Sequence, residues 1–421
     1  MGDSLLVTDV RPWGSPPVDL LIENGTVAAI SAAADSAAPA GEHVDGAGRL
    51  ILPALSDVHL HLDSSRLGLP FRAQTGTPGR WGRIMNDREH WRSAERSVAE
   101  RASFTLAVAV ANGATRVRSH AQVDADTGLT KLEGELAARE RYDEVCDVEI
   151  VAFPQVGLLL EPGVIDLMDA ALSAGADLVG GMDPCELDRD PVRHLDAVFG
   201  LAAKHQVGVD IHLHEAGELG LFTLSLIVER VQALGMSGLA TISHARCLAS
   251  GLPGVPAAIE RLSEFDIALT HAAGAQGWAL PLLDLAAAGV RVGVGMDGQR
   301  DYWSPYGNGD MLDRAWQLAF VNGYGSDEHV EHALGVATWG GASVIDRTLR
   351  PLDGSNAHPG FAVGDPAEFF LVDAVSPAAA VMDRPAERTV IHRGHVISVD
   401  TALDGFEIPG RWGGKGAEDA S

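Results

Sequence analysis

Between about residues 52 and 350, short apolar β-branched runs alternate with longer stretches whose apolar positions recur at helical spacing. This is the pattern of successive βα units and a parallel sheet. Eight strand candidates stand out, at 57–62, 114–120, 147–155, 178–183, 208–215, 240–245, 266–271 and 291–297. Helical stretches intervene at 89–112, 163–173, 191–205, 219–234 and 311–322, and several stop at a glycine (Gly113, Gly175, Gly235, Gly289) where a left-handed cap is expected. Eight units predict a closed (β/α)8 TIM barrel, with its chemistry at the C-terminal ends of the strands. An open doubly wound sheet would carry a glycine-rich phosphate loop after its first strand, and this chain has His59-Leu60-His61 there instead.

The two ends read differently. Segment 20–30 places Asn24-Gly25 between apolar stretches, the chemistry of a tight hairpin. Segment 389–399 repeats the arrangement around Gly394, after a strand-like run at 367–373. A two-stranded unit is marginal alone. Residues 1–50 and 360–410 are therefore expected to form one small composite β-sandwich domain beside a barrel of residues 51–359, followed by a polar tail at 411–421.

Composition narrows the function classes. Against 58 Asp and Glu stand 31 Lys and Arg, a formal net charge of −27. Such a field repels phosphate backbones and anionic lipid, and no basic patch offsets it, so no nucleic-acid or membrane role is expected. Most of the acidity reads as solvated helix surface. Cys146, Cys185 and Cys247 lie far apart without CxxC spacing, which argues against a disulfide scaffold or a thiolate zinc site and fits a reducing compartment. The N-terminus lacks a basic n-region and an apolar h-region, and no apolar run is long enough for a bilayer, so a cytoplasmic protein is expected. Alanine-rich outer helices are compatible with a homo-oligomer.

The residues at the strand ends carry the chemistry. They are His59 and His61 on the first strand, Gln155 on the third, His212 and Glu215 on the fifth, His244 on the sixth and Asp297 on the eighth. Side chains two apart share a strand face, so His59 and His61 can converge on one ion, and His212 and Asp297 can complete its shell. Imidazole and carboxylate suit one divalent transition metal ion, Zn²⁺ or Fe²⁺, with a position left open for water. His120 and His271 also end strands and are candidates for supporting the ligands, whereas His90, His194, His205, His329 and His332 fall on helical faces. A two-metal site would require a lysine at a strand end. The chain's lysines, Lys131, Lys204 and Lys415, lie in helical contexts or the tail.

The segments 53–61, 153–157, 209–215, 243–245 and 295–298, with the Trp303-Ser-Pro-Tyr-Gly307 loop, resemble the amidohydrolase superfamily and within it the cytosine deaminase group. The resemblance covers nearly the full chain. It implies a mononuclear site held by His59, His61, His212 and Asp297, with Glu215 and His244 acting on substrate and water and Gln155 reading the amide edge of the ring. The implied reaction is hydrolytic deamination of a small neutral heterocycle, cytosine or a related aminopyrimidine. Water activated at the metal attacks the amino-bearing carbon, and Glu215 protonates the adjacent nitrogen. Two positions depart from the group: Gly298 replaces a second acidic residue after the metal-binding aspartate, and Met296 replaces a histidine before it. A lost carboxylate and an apolar Met296 wall would suit a larger or less polar substrate, with Trp303 covering the ring. The run Gly307-Asn-Gly-Asp310 resembles the isopropylammelide hydrolases as much as the deaminases, so N-alkylamino-triazine hydrolysis is the alternative. A catalytically inactive barrel scaffold is a further one, because fold alone does not secure function.

Overall fold

The structure, a computed structural model, describes residues 4–33, 41–274, 278–353, 358–403 and 405–406. The expected tail at 411–421, with Lys415, lies outside the described residues. The N-terminal part forms β1 (Ser4–Pro12), β2 (Val18–Glu23), β3 (Thr26–Ala32), β4 (Glu42–Asp45) and β5 (Leu50–Pro53). Barrel strands and helices then alternate. In chain order they are β6 (Leu55–Leu60), α1 (Arg80–His90), α2 (Val98–Ala111), β7 (Ala114–Gln122), α3 (Thr130–Tyr142), β8 (Asp147–Phe153) and α4 (Val164–Ala174). They continue through β9 (Leu178–Met182), α5 (Pro191–His205), β10 (Gly208–His212), α6 (Gly217–Leu234), β11 (Ala240–Ser243) and α7 (Val255–Glu264). The last are β12 (Ala268–His271), α8 (Leu282–Ala287), β13 (Val292–Val294) and α9 (Met311–Val321), after which β14 (Phe369–Val372), β15 (Arg388–His392) and β16 (His395–Ile397) return to the N-terminal sheet.

Every expected barrel strand is present, and β6 to β13 pair in chain order, all parallel. A parallel bridge between Leu60 and Asp297 joins the last strand to the first and closes the cylinder. Gly295 makes that closure possible, because a Cβ there would lie 2.3–2.7 Å from the backbone of His59. One helix differs from expectation. The stretch 89–112 is interrupted by a 3-10 turn at Trp91–Ser93, and α2 restarts under a capping box in which Ser97 and Glu100 satisfy each other's backbone N–H groups.

The terminal sheet runs in the order β16-β15-β14-β5-β1-β2-β3, with β4 on β1. Both expected hairpins form, and their turns place Asn24-Gly25 and Arg393-Gly394 at positive φ. The core of this sheet draws Leu5, Val7, Leu20 and Ile22 from one half and Ile51, Phe369, Leu371 and Ile391 from the other, so the sheet folds over itself about β1. It is tied to the barrel by Arg388, whose guanidinium grips the Asp310 carboxylate at 2.8 and 2.9 Å and donates to the Asn112 carbonyl that ends α2. Both side chains of this pair are fully buried. Arg388→Met would leave the Asp310 charge buried without its cation. The expected loss is on the order of 3–5 kcal/mol, read as a lower urea midpoint with the barrel's metal affinity retained.

Candidate metal centre and active site

Five predicted residues meet at the C-terminal mouth of the barrel. The rings of His59 and His212 lie 4.7 Å apart, those of His59 and His244 4.6 Å, and those of His61 and His212 5.6 Å. Asp297 Oδ1 approaches His59 Nε2 at 3.8 Å and His61 Nε2 at 3.4 Å. Ligand atoms of His59, His61 and His212, and of His59, His244 and Asp297, form two groups each contained within 4.8 Å. Barrel closure sets this geometry, because the Asp297 N–H donates to the His59 carbonyl at 2.7 Å. His244 and Asp297 both sit at positive φ (68° and 59°), a cost that tertiary contacts hold in place at a functional mouth.

The donor set fits a divalent ion. Nε2 of His59 and both ring nitrogens of His212 are buried with no hydrogen-bond partner among the described residues, an arrangement that costs free energy unless something accepts their lone pairs. Burial, reinforced by neighbouring positive groups, pushes the pKa of His59 down to about 3 and those of His212 and His244 well below the usual range. These rings are therefore neutral, as ligation requires. On His61 burial acts downward too, but the hydrogen bond and charge of Asp297 outweigh it and raise that pKa to about 9. Burial pushes the Asp297 carboxyl up, and the His61 hydrogen bond with the surrounding histidines brings it well below the carboxylate range. The rings are also aimed from behind. His59 Nδ1 meets Ser243 Oγ at 3.0 Å, Ser243 donates to Asp210, and Asp210 is paired with the buried Arg118 at 3.0 Å. His61 Nδ1 donates to the His120 carbonyl at 3.2 Å, which turns Nε2 toward Asp297.

Two histidines join this cluster without having been assigned to it. The His120 ring, expected at most to support the ligands, packs 4.4 Å from His59 and 4.6 Å from His212, with both nitrogens buried and unpartnered among the described residues. The His214 ring stacks on His244 at 4.1 Å and is held through Nδ1 by Asp183 at 2.9 Å, which Arg80 pairs in turn. Among the helical histidines, His194 is buried against Asp188 and His90 bonds the Asn86 carbonyl, local roles as expected.

Glu215 stands apart from the rings. One carboxylate oxygen accepts the amide N–H groups of Cys185 (2.7 Å) and Glu186 (3.0 Å), and the other accepts the Thr223 hydroxyl. Burial raises its pKa. Gln155 is buried beyond the end of β8 and donates to Gln122 and Asp87. Trp303 is half-buried, its Nε1 has no partner among the described residues, and its backbone N–H is bound to Asp301 Oδ1 at 2.8 Å.

Two expectations need correction. Met296 is no pocket wall: it is 2% exposed, its sulfur lies 3.4 Å from Arg314 Nη2, and its N–H donates to Asp57. Nor is the carboxylate missing at Gly298 simply lost. A Cβ at that position would lie 2.1 Å from Asp301 Oδ2, so the buried Asp301 carboxylate occupies the space, and burial raises its pKa to about 7. A minority of the acids is interior: Asp57, Asp63, Asp87, Asp124, Glu135, Asp183, Asp210 and Asp310 are all nearly inaccessible. Sequence patterning missed these because each acid has a cation or backbone partner that is remote in the chain.

Ser243→Ala removes the group that orients His59. The expected consequence is a 10- to 100-fold weaker affinity for Zn²⁺, on the order seen when such supporting partners are removed, measured by competition with a chromogenic chelator on folded protein.

Comparison with known proteins agrees with this geometry. Residues 94–398 match the model of the amidohydrolase family. The chain is 27% identical to N-isopropylammelide isopropyl amidohydrolase of Pseudomonas sp. strain ADP, over 86% of this chain and 89% of that protein. Its fold matches the crystal structure of N-isopropylammelide isopropylaminohydrolase from Burkholderia multivorans ATCC 17616 with TM-score 0.86 and 37% identity, covering 94% of this chain and 98% of that one. It also matches 5-methylcytosine deaminase from Klebsiella pneumoniae liganded with 5-fluorocytosine, with TM-score 0.77 and 25% identity over 93% and 97% of the two chains. No described helix is long and apolar enough to cross a membrane. The chain therefore belongs to the amidohydrolase family and is a hydrolase acting on carbon–nitrogen bonds.

Proposed function

We propose that the protein is a metal-dependent hydrolytic deaminase that removes an exocyclic amine from a small neutral nitrogen heterocycle, cytosine or a related aminopyrimidine. The observation that carries this reading is the convergence of His59, His61 and His212 with Asp297 at the barrel mouth, next to His244. His59, His61, His212 and Asp297 would hold one divalent ion, Zn²⁺ or Fe²⁺. Such an ion supplies Lewis-acid chemistry and lowers the pKa of its water to roughly 7.

The chain's own residues then divide the work. His244, fixed by its stacking on His214, and Asp297 orient the attacking water and take its proton. Glu215 delivers a proton to the ring nitrogen beside the reacting carbon, and its burial raises its pKa in the sense an acid needs. Gln155 reads the edge of the ring, and Trp303 covers its face. The leaving amine departs with the proton held at Asp297.

A second reading is release of an alkylamine from an N-alkylamino triazine. It is favoured by the greater identity to the isopropylammelide enzyme than to the cytosine-type deaminase, 37% against 25%. Assaying ammonia and alkylamine release over aminopyrimidines, N-alkylamino triazines and aminopurines, with protein loaded separately with Zn²⁺ and Fe²⁺, separates the two. No turnover of any aminated heterocycle by metal-loaded protein refutes both. Glu215→Gln is expected to lower kcat by about 10²- to 10⁴-fold with metal content unchanged, and undiminished turnover in that variant would remove Glu215 from the chemistry.

A further inference from the structure

One buried cation has no part in the reaction as described. Lys131, the second residue of α3, is 0% exposed. A lone lysine in a helical first turn ordinarily keeps its ammonium in water. Here Nζ reaches inward to Asp87 Oδ2 at 3.0 Å, to Asp63 Oδ2 at 3.5 Å and to Gln122 Oε1. The Trp91 ring, 5.7 Å from Nζ, lies alongside.

The network stands at the C-terminal ends of three adjacent strands. Gln122, the last residue of β7, follows His120 by two and shares its strand face. Asp63 lies three residues beyond the end of β6, and Gln155 two beyond the end of β8, whose last residue Phe153 stacks on the His212 ring at 4.2 Å. The polar residues therefore gather on the mouth side of the barrel, where the loops that follow the strands receive a substrate.

Hydrogen-bond chemistry fixes how each amide is turned. An ammonium only donates, so the Gln122 atom facing Lys131 is its oxygen. Its nitrogen donates to Asp124 Oδ2 at 2.6 Å, a carboxylate that only accepts. The Gln122 oxygen also faces Gln155, at 3.1 Å, and so does the acceptor-only Asp87 at 3.3 Å. The Gln155 atom between them must therefore be Nε2, with both hydrogens used. Its Oε1 is turned the other way, with no partner among the described residues and without being sealed from solvent.

We propose that Lys131 is a positioning residue for specificity: through Gln122 it locks the Gln155 amide so that a carbonyl oxygen, and not an NH₂ group, faces the substrate. The site thereby selects a heterocycle that presents a ring N–H at that edge. This rests on the proposed reaction for the placement of the ring, but the hydrogen-bond polarity of the network is independent of it. Without the ammonium, the Gln122 amide is free to rotate, Gln155 follows, and the preference for a donor is lost.

The test is equilibrium binding by calorimetry of uracil and cyanuric acid, each beside its N-methylated counterpart, to full-length, metal-loaded protein. Wild type, Lys131→Met and Gln122→Met are compared, with kcat and KM measured on the aminated analogues. Wild type is expected to favour an N–H ring over its N-methyl form by about tenfold or more. In both variants that ratio collapses toward unity, and the loss on aminated substrates falls mainly in KM while bound metal stays the same. Gln122→Met leaves the ion pairs of Lys131 with Asp63 and Asp87 in place, so it carries the test if Lys131→Met does not fold. A folded, metal-loaded variant that keeps the wild-type ratio overturns the proposal, as does a wild type indifferent to N-methylation. N–H-selective binding that depends on Lys131 in a protein with no turnover would refute the deaminase reading and sustain this one.

Discussion

Barrel closure is the constraint on which the rest of the structure depends. Where the last strand meets the first, Gly295 lets the backbone of β13 come against His59, and the Asp297 N–H donates to the His59 carbonyl. That contact joins a carboxylate to histidines more than two hundred residues earlier in the chain. A side chain at Gly295 would push the strands apart, and Asp297 would lose both its register and its approach to His61. The site is thus assembled by the same hydrogen bonds that make the sheet a cylinder.

Above this seam the mouth is layered, and each layer handles charge in its own way. The lower layer holds the buried imidazoles, of which His59, His212 and His244 are kept uncharged by burial while His61 is paired with Asp297. The upper layer holds a cation, Lys131, among the carboxylates of Asp63 and Asp87. Burying such charges costs more than an apolar replacement would in many proteins. What the arrangement supplies is direction: an ammonium can only donate and a carboxylate can only accept, so every amide between them has one orientation. The ligands below are aimed by the same means, through Ser243, Asp210 and Arg118 behind His59.

The barrel and the histidine and aspartate cluster at its mouth were legible in the sequence because both rest on short periods. Strand alternation puts His59 and His61 on one face, and their placement with His212, His244 and Asp297 at strand ends follows from βα order alone. What lay beyond reach depends on partners distant in sequence. Lys131 reads as one more charged residue in a helix until Asp87 and Gln122 are brought to it. His214 was passed over although the expected strand 208–215 puts it on the face of His212; in the structure β10 ends at His212, and His214 beyond it turns to stack on His244. Interior acids look like surface acids in a chain of this charge, since the pattern does not reveal that Arg118 will meet Asp210 or that Arg388 will meet Asp310.

At Gly298 the structure fills what the sequence reads as a loss. Read along the chain, glycine after the metal-binding aspartate means an acceptor deleted. In space, the Asp301 carboxylate fills the volume that a side chain at 298 would enter, and its oxygen Oδ1 is bound by the N–H groups of Trp303 and Ser304. A glycine is required there because the loop delivers its own carboxylate. The acid is thereby moved from the strand end to a loop, and its orientation is coupled to the segment that carries Trp303. A change in that loop therefore moves the Asp301 carboxylate and Trp303 together while leaving His59, His61, His212 and Asp297 in place at the strand ends.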